Sequence, residues 1–378
     1  MQSTSNDNKP EAQVLFYWID VVVIKESKTL EVSGTVQCLG TTSFKMFPDN
    51  RFSYKTEGQK LLFSASIPYQ KIDFMPEGLF VIQDFYPKPI NDDFICDFSV
   101  GFTSSFQVSL ATGVLKDGRY IERKVRSFAL VFSNVFDLLE DQVADTQLRC
   151  LHYKENPDLA HTILDHAKQD IENAIHLFGF FPYRALIFVP GSVKWSGGCP
   201  LATGVIGLHY RPLDTELLGN NSIITHEICH EYWGEYVKDR EPTGFLSLGL
   251  GLSTDYALNE NRSLHEIDLD MYKAACKQGR RTAIDIPQVE YDSLMSLESL
   301  SEYDYNTAVL HGKSAVIMSL IRERIGVVPF FSALSALLME RAGRIIDRSH
   351  FLSAIKRVSD QDFSKELADW LSTDDCII

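Results

Sequence analysis

His226, Glu227 and His230 stand together in the stretch SIITHEICHEYWGEYV, residues 222–237, as His-Glu-Ile-Cys-His. On a helix the four-residue step sets both imidazoles on one face, about one turn apart, with Glu227 beside them. Neutral imidazoles facing the same way are zinc donors, and a neighbouring carboxylate is placed to take a proton from water. A catalytic zinc normally has three protein ligands and one open position, so this segment supplies two of the three. Cys229 lies inside the motif but off the histidine face, which makes it a buried thiol rather than a ligand.

The elements around the motif must hold it in a dry place. Asn221 or Ser222 is placed to cap the helix, and Ile223, Ile224 and Ile228 make its other side apolar, so the polar residues face one cavity. Buried charge is costly without a partner or a metal. Upstream, from about Val14 to Ser133, the runs LFYWIDVVVI, KLLFSASI, GLFVIQDF and SFALVFS alternate with Gly, Pro, Asn and Asp clusters, which predicts a β-rich domain. From about Pro157 the period changes: Leu159, Ile163, Leu164, Ala167, Ile171, Ala174 and Ile175 recur at helical spacing until Gly179 and Pro182. A strand over 184–190 and a glycine-rich loop over 196–204 follow, and further helices are expected at about 250–258, 266–277, 306–325, 328–342, 349–357 and 362–371. The segment 134–150, with FDLLEDQVAD, reads as a linker or short helix. The expected division is a flexible tail over 1–12, a β-rich domain over 13–145 and a mostly helical domain over 146–378.

Composition narrows the function classes. The 378 residues carry 51 acidic against 36 basic side chains, a formal charge of -15 that repels phosphate backbones and anionic membranes. Nucleic acid and membrane are therefore not expected partners; a peptide or small molecule is. The polar start MQSTSNDNKPEAQ lacks the charged and apolar regions of a secretory signal. No run reaches the roughly 18 apolar residues of a membrane span. Seven scattered cysteines, with no CxxC pair, suit reduced thiols, so a cytoplasmic protein is expected.

The flanks of the motif resemble the aminopeptidase N family of gluzincins. HEICHEYWGEYV is similar to that family's zinc helix, and LFGFFPYRALIFVP (177–190) to the helix end and edge strand before it. SGGCPLATGVIGL is similar to the glycine-rich substrate strand, which would give Gly197 and Gly198 a place in substrate binding. HGKSAVIMSLIRERIG (311–326), DRSHFLSAIKRVSDQDFSKELADWL (347–371) and RSFALVFS (126–133) continue the likeness in one consistent order. The resemblance implies an α+β fold, with a β-rich saddle-like N-terminal domain before a thermolysin-like, mostly helical catalytic domain. It also implies zinc at His226 and His230 with Glu227 as general base.

The sequence departs from the family at three places. Counting from His230 to the family's third ligand, a glutamate, lands on Gly249, and no Asp or Glu occurs from Pro242 to Thr254. CPLATG offers no acid for a substrate's amino terminus, and the family's oxyanion-stabilising tyrosine falls on Val309. Tyr305 and Tyr303, one to two turns upstream, are candidate substitutes for the tyrosine. For the third ligand, Asp255 is the first choice, with Glu241, His209 and His311 as alternatives. Three readings follow: a zinc-dependent hydrolase, a non-catalytic binding scaffold on the same fold, and metal-free acid–base chemistry in the same cleft.

Overall fold

The computed structural model describes residues 13–40, 44–70, 75–90, 94–191, 197–209, 222–241, 243–259, 264–295 and 305–378. Asn221, Tyr303 and the tail expected over 1–12 lie outside the described residues. The chain divides into two compact units after Phe136.

The first unit is β-rich, as its alternating runs predict. Its strands are β1 (Gln13–Ile24), β2 (Thr29–Leu39), β3 (Ser53–Glu57), β4 (Lys60–Pro68), β5 (Leu79–Ile82), β6 (Cys96–Thr103), β7 (Val108–Ala111), β8 (Val114–Lys116), β9 (Arg119–Val125) and β10 (Leu130–Ser133). Seven form one sheet in the order β3-β4-β2-β1-β6-β9-β8 and three form another, β5-β10-β7. In β1, Tyr17, Ile19, Val21 and Val23 turn inward while Trp18 and Val22 are exposed, the period-2 signature of a half-buried strand. Tyr17 and Phe98 stack at 4.7 Å, and Phe98 and Phe128 at 5.1 Å, so aromatic rings fill the core.

The second unit holds His226, Glu227 and His230. Strands β11 (Asp137–Val143), β12 (Thr146–His152), β13 (Ala185–Pro190), β14 (Gly197–Ala202) and β15 (Val205–His209) form a sheet in the order β11-β12-β13-β15-β14. The 134–150 segment is thus two strands of this sheet rather than a linker or helix. Glu140, Asp141 and Gln142 hid the alternation, because β11 shows only Val143 fully to the core. Between β12 and β13 runs α1 (Pro157–Phe178), capped by the Asn156 side chain and ended by Gly179 at φ +86°. Its Ile163, Leu164, Ala167 and Ile171 pack on Leu148, Leu186, Phe188, Ile206 and Leu208 of the sheet.

Helices follow: α2 (Ser222–Tyr232), α3 (Phe245–Leu258), α4 (Leu264–Lys277), α5 (Gln288–Met295), a π-helix (Asn306–Lys313), α6 (Ser314–Ile325), α7 (Val327–Glu340), α8 (Arg348–Ser359) and α9 (Ser364–Ser372). Two short strands, β16 (Lys238–Asp239) and β17 (Ile345–Ile346), pair in parallel. Asp239 accepts from the Leu246 and Ser247 amides, closing the start of α3 from outside it. The expected helix over 306–325 is a π-helix running into an α-helix, and α5 had no counterpart in the sequence reading. Among the described residues no helix is long and apolar enough to cross a membrane.

Candidate metal centre

Helix α2 is positioned by its apolar side. Ile223, Ile224 and Ile228 enter the same core as α1 and the sheet, which turns the opposite side toward α3 and β14. On that side His226 and His230 are buried or nearly so, and their Nε2 atoms approach to 3.0 Å with the rings edge to face at 4.5 Å. Burial, with the other imidazoles nearby, pushes His226 well below the usual histidine range; burial pushes His230 down to about 4. Both rings are therefore neutral at physiological pH, the form that binds metal.

The tautomers follow from the partners. His230 Nδ1 lies 3.3 Å from the Trp233 carbonyl, which an N–H on that atom satisfies, and its Nε2 is left with a lone pair. His226 Nδ1 is buried with no hydrogen-bond partner among the described residues. Without a metal, His226 donates from Nε2 to His230 and the 3.0 Å contact is an ordinary hydrogen bond. Two nitrogens about 2.0–2.1 Å from one zinc at a near-tetrahedral angle stand about 3.3 Å apart, so the pair sits close to the spacing of a shared metal.

Glu227 is buried, and burial pushes its carboxyl up to about 8. A Cβ on Gly198 would lie 2.5 Å from Glu227 Cγ and 2.7 Å from Oε1, so the glutamate occupies the room that a side chain on β14 would take. Gly197 pairs with His209 at the start of the same hairpin. β14 is the last strand in the sheet order, and α2 lies against it through Glu227 and Gly198.

The third ligand is where the sequence candidates part. Gly249, the position reached by counting, faces α6: its Cβ would meet Met318 and the Ser314 carbonyl at 3.0–3.1 Å. Gly251 on α3 lies beside His230: a Cβ there would stand 3.8 Å from Cε1 and 3.9 Å from Nδ1 of the ring. Asp255 is fully buried, but its charge acts on Cys229, and it does not join the histidines in a cluster able to hold a metal. Glu241 pairs with Arg348 at 2.7 Å, and the His209 side chain lies outside the described residues. The Tyr305 hydroxyl donates to the Ala283 carbonyl at 2.6 Å, which commits the proton an oxyanion would need.

His311 is the candidate that the structure brings near. Its ring lies 6.0 Å from that of His226, tilted by 34°. Its Nδ1 is 3.5 Å from Asp268 Oδ2, a carboxylate 4% exposed on α4. Asp268 had no place in the sequence reading, although it lies in the buried stripe Asp268, Tyr272, Ala275 at i, i+4, i+7, where an acid needs a reason. Among the described residues no three His, Cys, Asp or Glu side chains stand already closed around a metal position.

No protein-family model and no curated protein matches the chain. Its fold is similar to that in the crystal structure of Legionella pneumophila aminopeptidase A in complex with aspartic acid, with a TM-score of 0.67 at 16% identity. The match covers 97% of this chain and 50% of that one, so the chain spans about half the length of this neighbour. At that identity the likeness is one of fold: a mixed α+β chain with a β-rich N-terminal unit, of the kind found in an aminopeptidase.

Proposed function

We propose that this chain is a divergent, aminopeptidase N-like zinc hydrolase of peptide or related amide bonds, its second unit being thermolysin-like. The observation that carries the reading is the pair of buried, neutral imidazoles on α2 whose Nε2 atoms converge to 3.0 Å, with Glu227 packed on Gly198 beside them. The aminopeptidase fold of the neighbour supports it. The donors fit a zinc ion: His226 and His230 would hold it, and a third protein group would complete the set. When bound, zinc supplies positive charge that lowers the pKa of water and polarises a carbonyl.

The remaining steps belong to the chain. An extended substrate lying along β14, Gly197 and Gly198 included, pairs backbone to backbone with the strand, as edge strands do, and Gly198 leaves Glu227 room to stand against it. Glu227 then faces the scissile group from the helix side. As a carboxylate, the form that a cation held at the two imidazoles would favour against burial, it accepts the proton of the attacking water and returns it to the leaving nitrogen. Closing both imidazoles and the carboxyl away from solvent strengthens every charge interaction among them.

The test is hydrolysis of a peptide and amide library by protein purified without chelator, with and without 1,10-phenanthroline. Chelator-sensitive turnover is expected, and Glu227→Gln lowers it by roughly 10²–10⁴-fold. Turnover that survives both chelator and Glu227→Gln would sink the reading. A non-catalytic scaffold is the second reading, favoured by the Tyr305 hydroxyl being tied to Ala283. Zinc bound at one per chain with no turnover across the library decides for it.

A further inference from the structure

We infer that His311, oriented by Asp268, is the third zinc ligand in place of a carboxylate from α3. This rests on the zinc-hydrolase reading. The first argument is the loss on the other side. On α3, Gly251 beside His230 brings no donor, no Asp or Glu occurs from Pro242 to Thr254, and Asp255 does not join the histidines in a metal-holding cluster among the described residues. A zinc held by two imidazoles alone is weakly bound, so a third donor has to come from another element.

The second argument is how His311 is delivered. It sits in the π-helix Asn306–Lys313, and Gly312 next to it lets that helix lie directly on α4. A Cβ on Gly312 would fall 2.4 Å from the Asp268 carbonyl oxygen and 2.8 Å from Tyr272 Cβ. That close approach sets Asp268 against the His311 ring, with Nδ1 and Oδ2 at 3.5 Å. The Oδ2 atom is buried and has no hydrogen-bond partner among the described residues. A carboxylate on one ring nitrogen of a histidine fixes the tautomer, leaves the other nitrogen as a lone pair and raises its basicity. π-Helical turns recur at functional sites because they rotate one side chain out of the α-helical sequence of directions.

The third argument is distance. Three imidazoles at about 2.0–2.1 Å from one zinc, with near-tetrahedral angles, place their ring centres about 5 Å apart. The observed separations are 4.5 Å for His226 and His230 and 6.0 Å for His226 and His311. The second is longer by about 1 Å, within reach of a small side-chain rotation. The His311 side chain is 23% exposed and so has room for that movement, which also brings Nδ1 within hydrogen-bond range of Asp268 Oδ2. The resulting set of three imidazoles leaves the fourth zinc position open, as a catalytic site requires.

The experiment is zinc titration of the full chain against a chromophoric chelator, for the parent, His311→Gln, Asp268→Asn and His226→Ala, each checked for fold by far-UV circular dichroism. The parent is expected to bind one zinc per chain. His311→Gln loses at least 100-fold in affinity, Asp268→Asn loses about 10–100-fold, and His226→Ala loses binding altogether. Cobalt substitution gives an independent signal: intense tetrahedral visible bands in the parent, lost in His311→Gln. Should His311→Gln bind zinc as tightly as the parent while His226→Ala does not, the assignment of His311 fails and the zinc reading stands. A folded parent that takes up neither zinc nor cobalt overturns both.

Discussion

At Gly251 a missing side chain leaves α3 bare beside the His230 ring. Counting along the sequence reached Gly249, which packs against Met318 and the Ser314 carbonyl instead. The motif residues were legible because His226, Glu227 and His230 share one helix, whose period alone puts them together. The proposed third ligand, His311, was one candidate among four, since its place depends on which helix packs where. Gly251→Glu supplies the absent carboxylate, and its Cβ has ordinary room at 3.8 Å from the His230 ring. Without metal the added charge is buried and costly; with zinc it becomes a ligand. The variant is expected to melt below the parent in chelator and to gain several degrees more than the parent on adding zinc, which differential scanning fluorimetry reads directly.

Among the elements, α5 had no counterpart in the sequence, the loop expected over 196–204 is largely β14, and the π-helix and β11–β12 were mistaken for opposite reasons. In β11 solvent-facing acids replaced the expected alternation, so an edge strand read as a linker. In 306–325 the apolar period is continuous with that of a plain helix, and nothing local announces the extra residue per turn. The long amphipathic α1 was read within a residue or two, because its apolar stripe, its Asn156 and Pro157 start and its Gly179 stop all agree. Helix packing at the π-helix depends on Gly312 touching α4. Gly312→Ala forces a Cβ into the Asp268 carbonyl and Tyr272, and neither backbone can yield without separating the two helices. The expected cost is roughly 1–3 kcal/mol, the range of overpacked contacts. Urea unfolding should show a lower midpoint at unchanged slope, and zinc affinity should fall with it.

For the molecule as a whole, a formal charge of -15 means that acidification toward neutrality relieves self-repulsion. A second source of pH dependence lies inside. Asp170 on α1 is 6% exposed and accepts from the Thr225 hydroxyl on α2 at 2.9 Å, and burial pushes its carboxyl up from 3.8 to about 7. Its folded value is above its unfolded one, so its contribution to stability is fully present below about 3.8 and lost as pH rises through about 7. Between those values the unfolded chain holds fewer protons, and stability falls by about 1.4 kcal/mol per pH unit from this group alone. The two sources separate by salt: surface repulsion is screened at 0.5 M sodium chloride, whereas the buried acid is not. The melting temperature is expected to drop between pH 5 and pH 7.5 in both low and high salt. Asp170→Asn, whose carbonyl still accepts from Thr225, should make the high-salt profile shallower than the parent's and leave the low-salt slope that comes from net charge. An Asp170→Asn profile parallel to the parent's at high salt would place the pH dependence elsewhere in the chain.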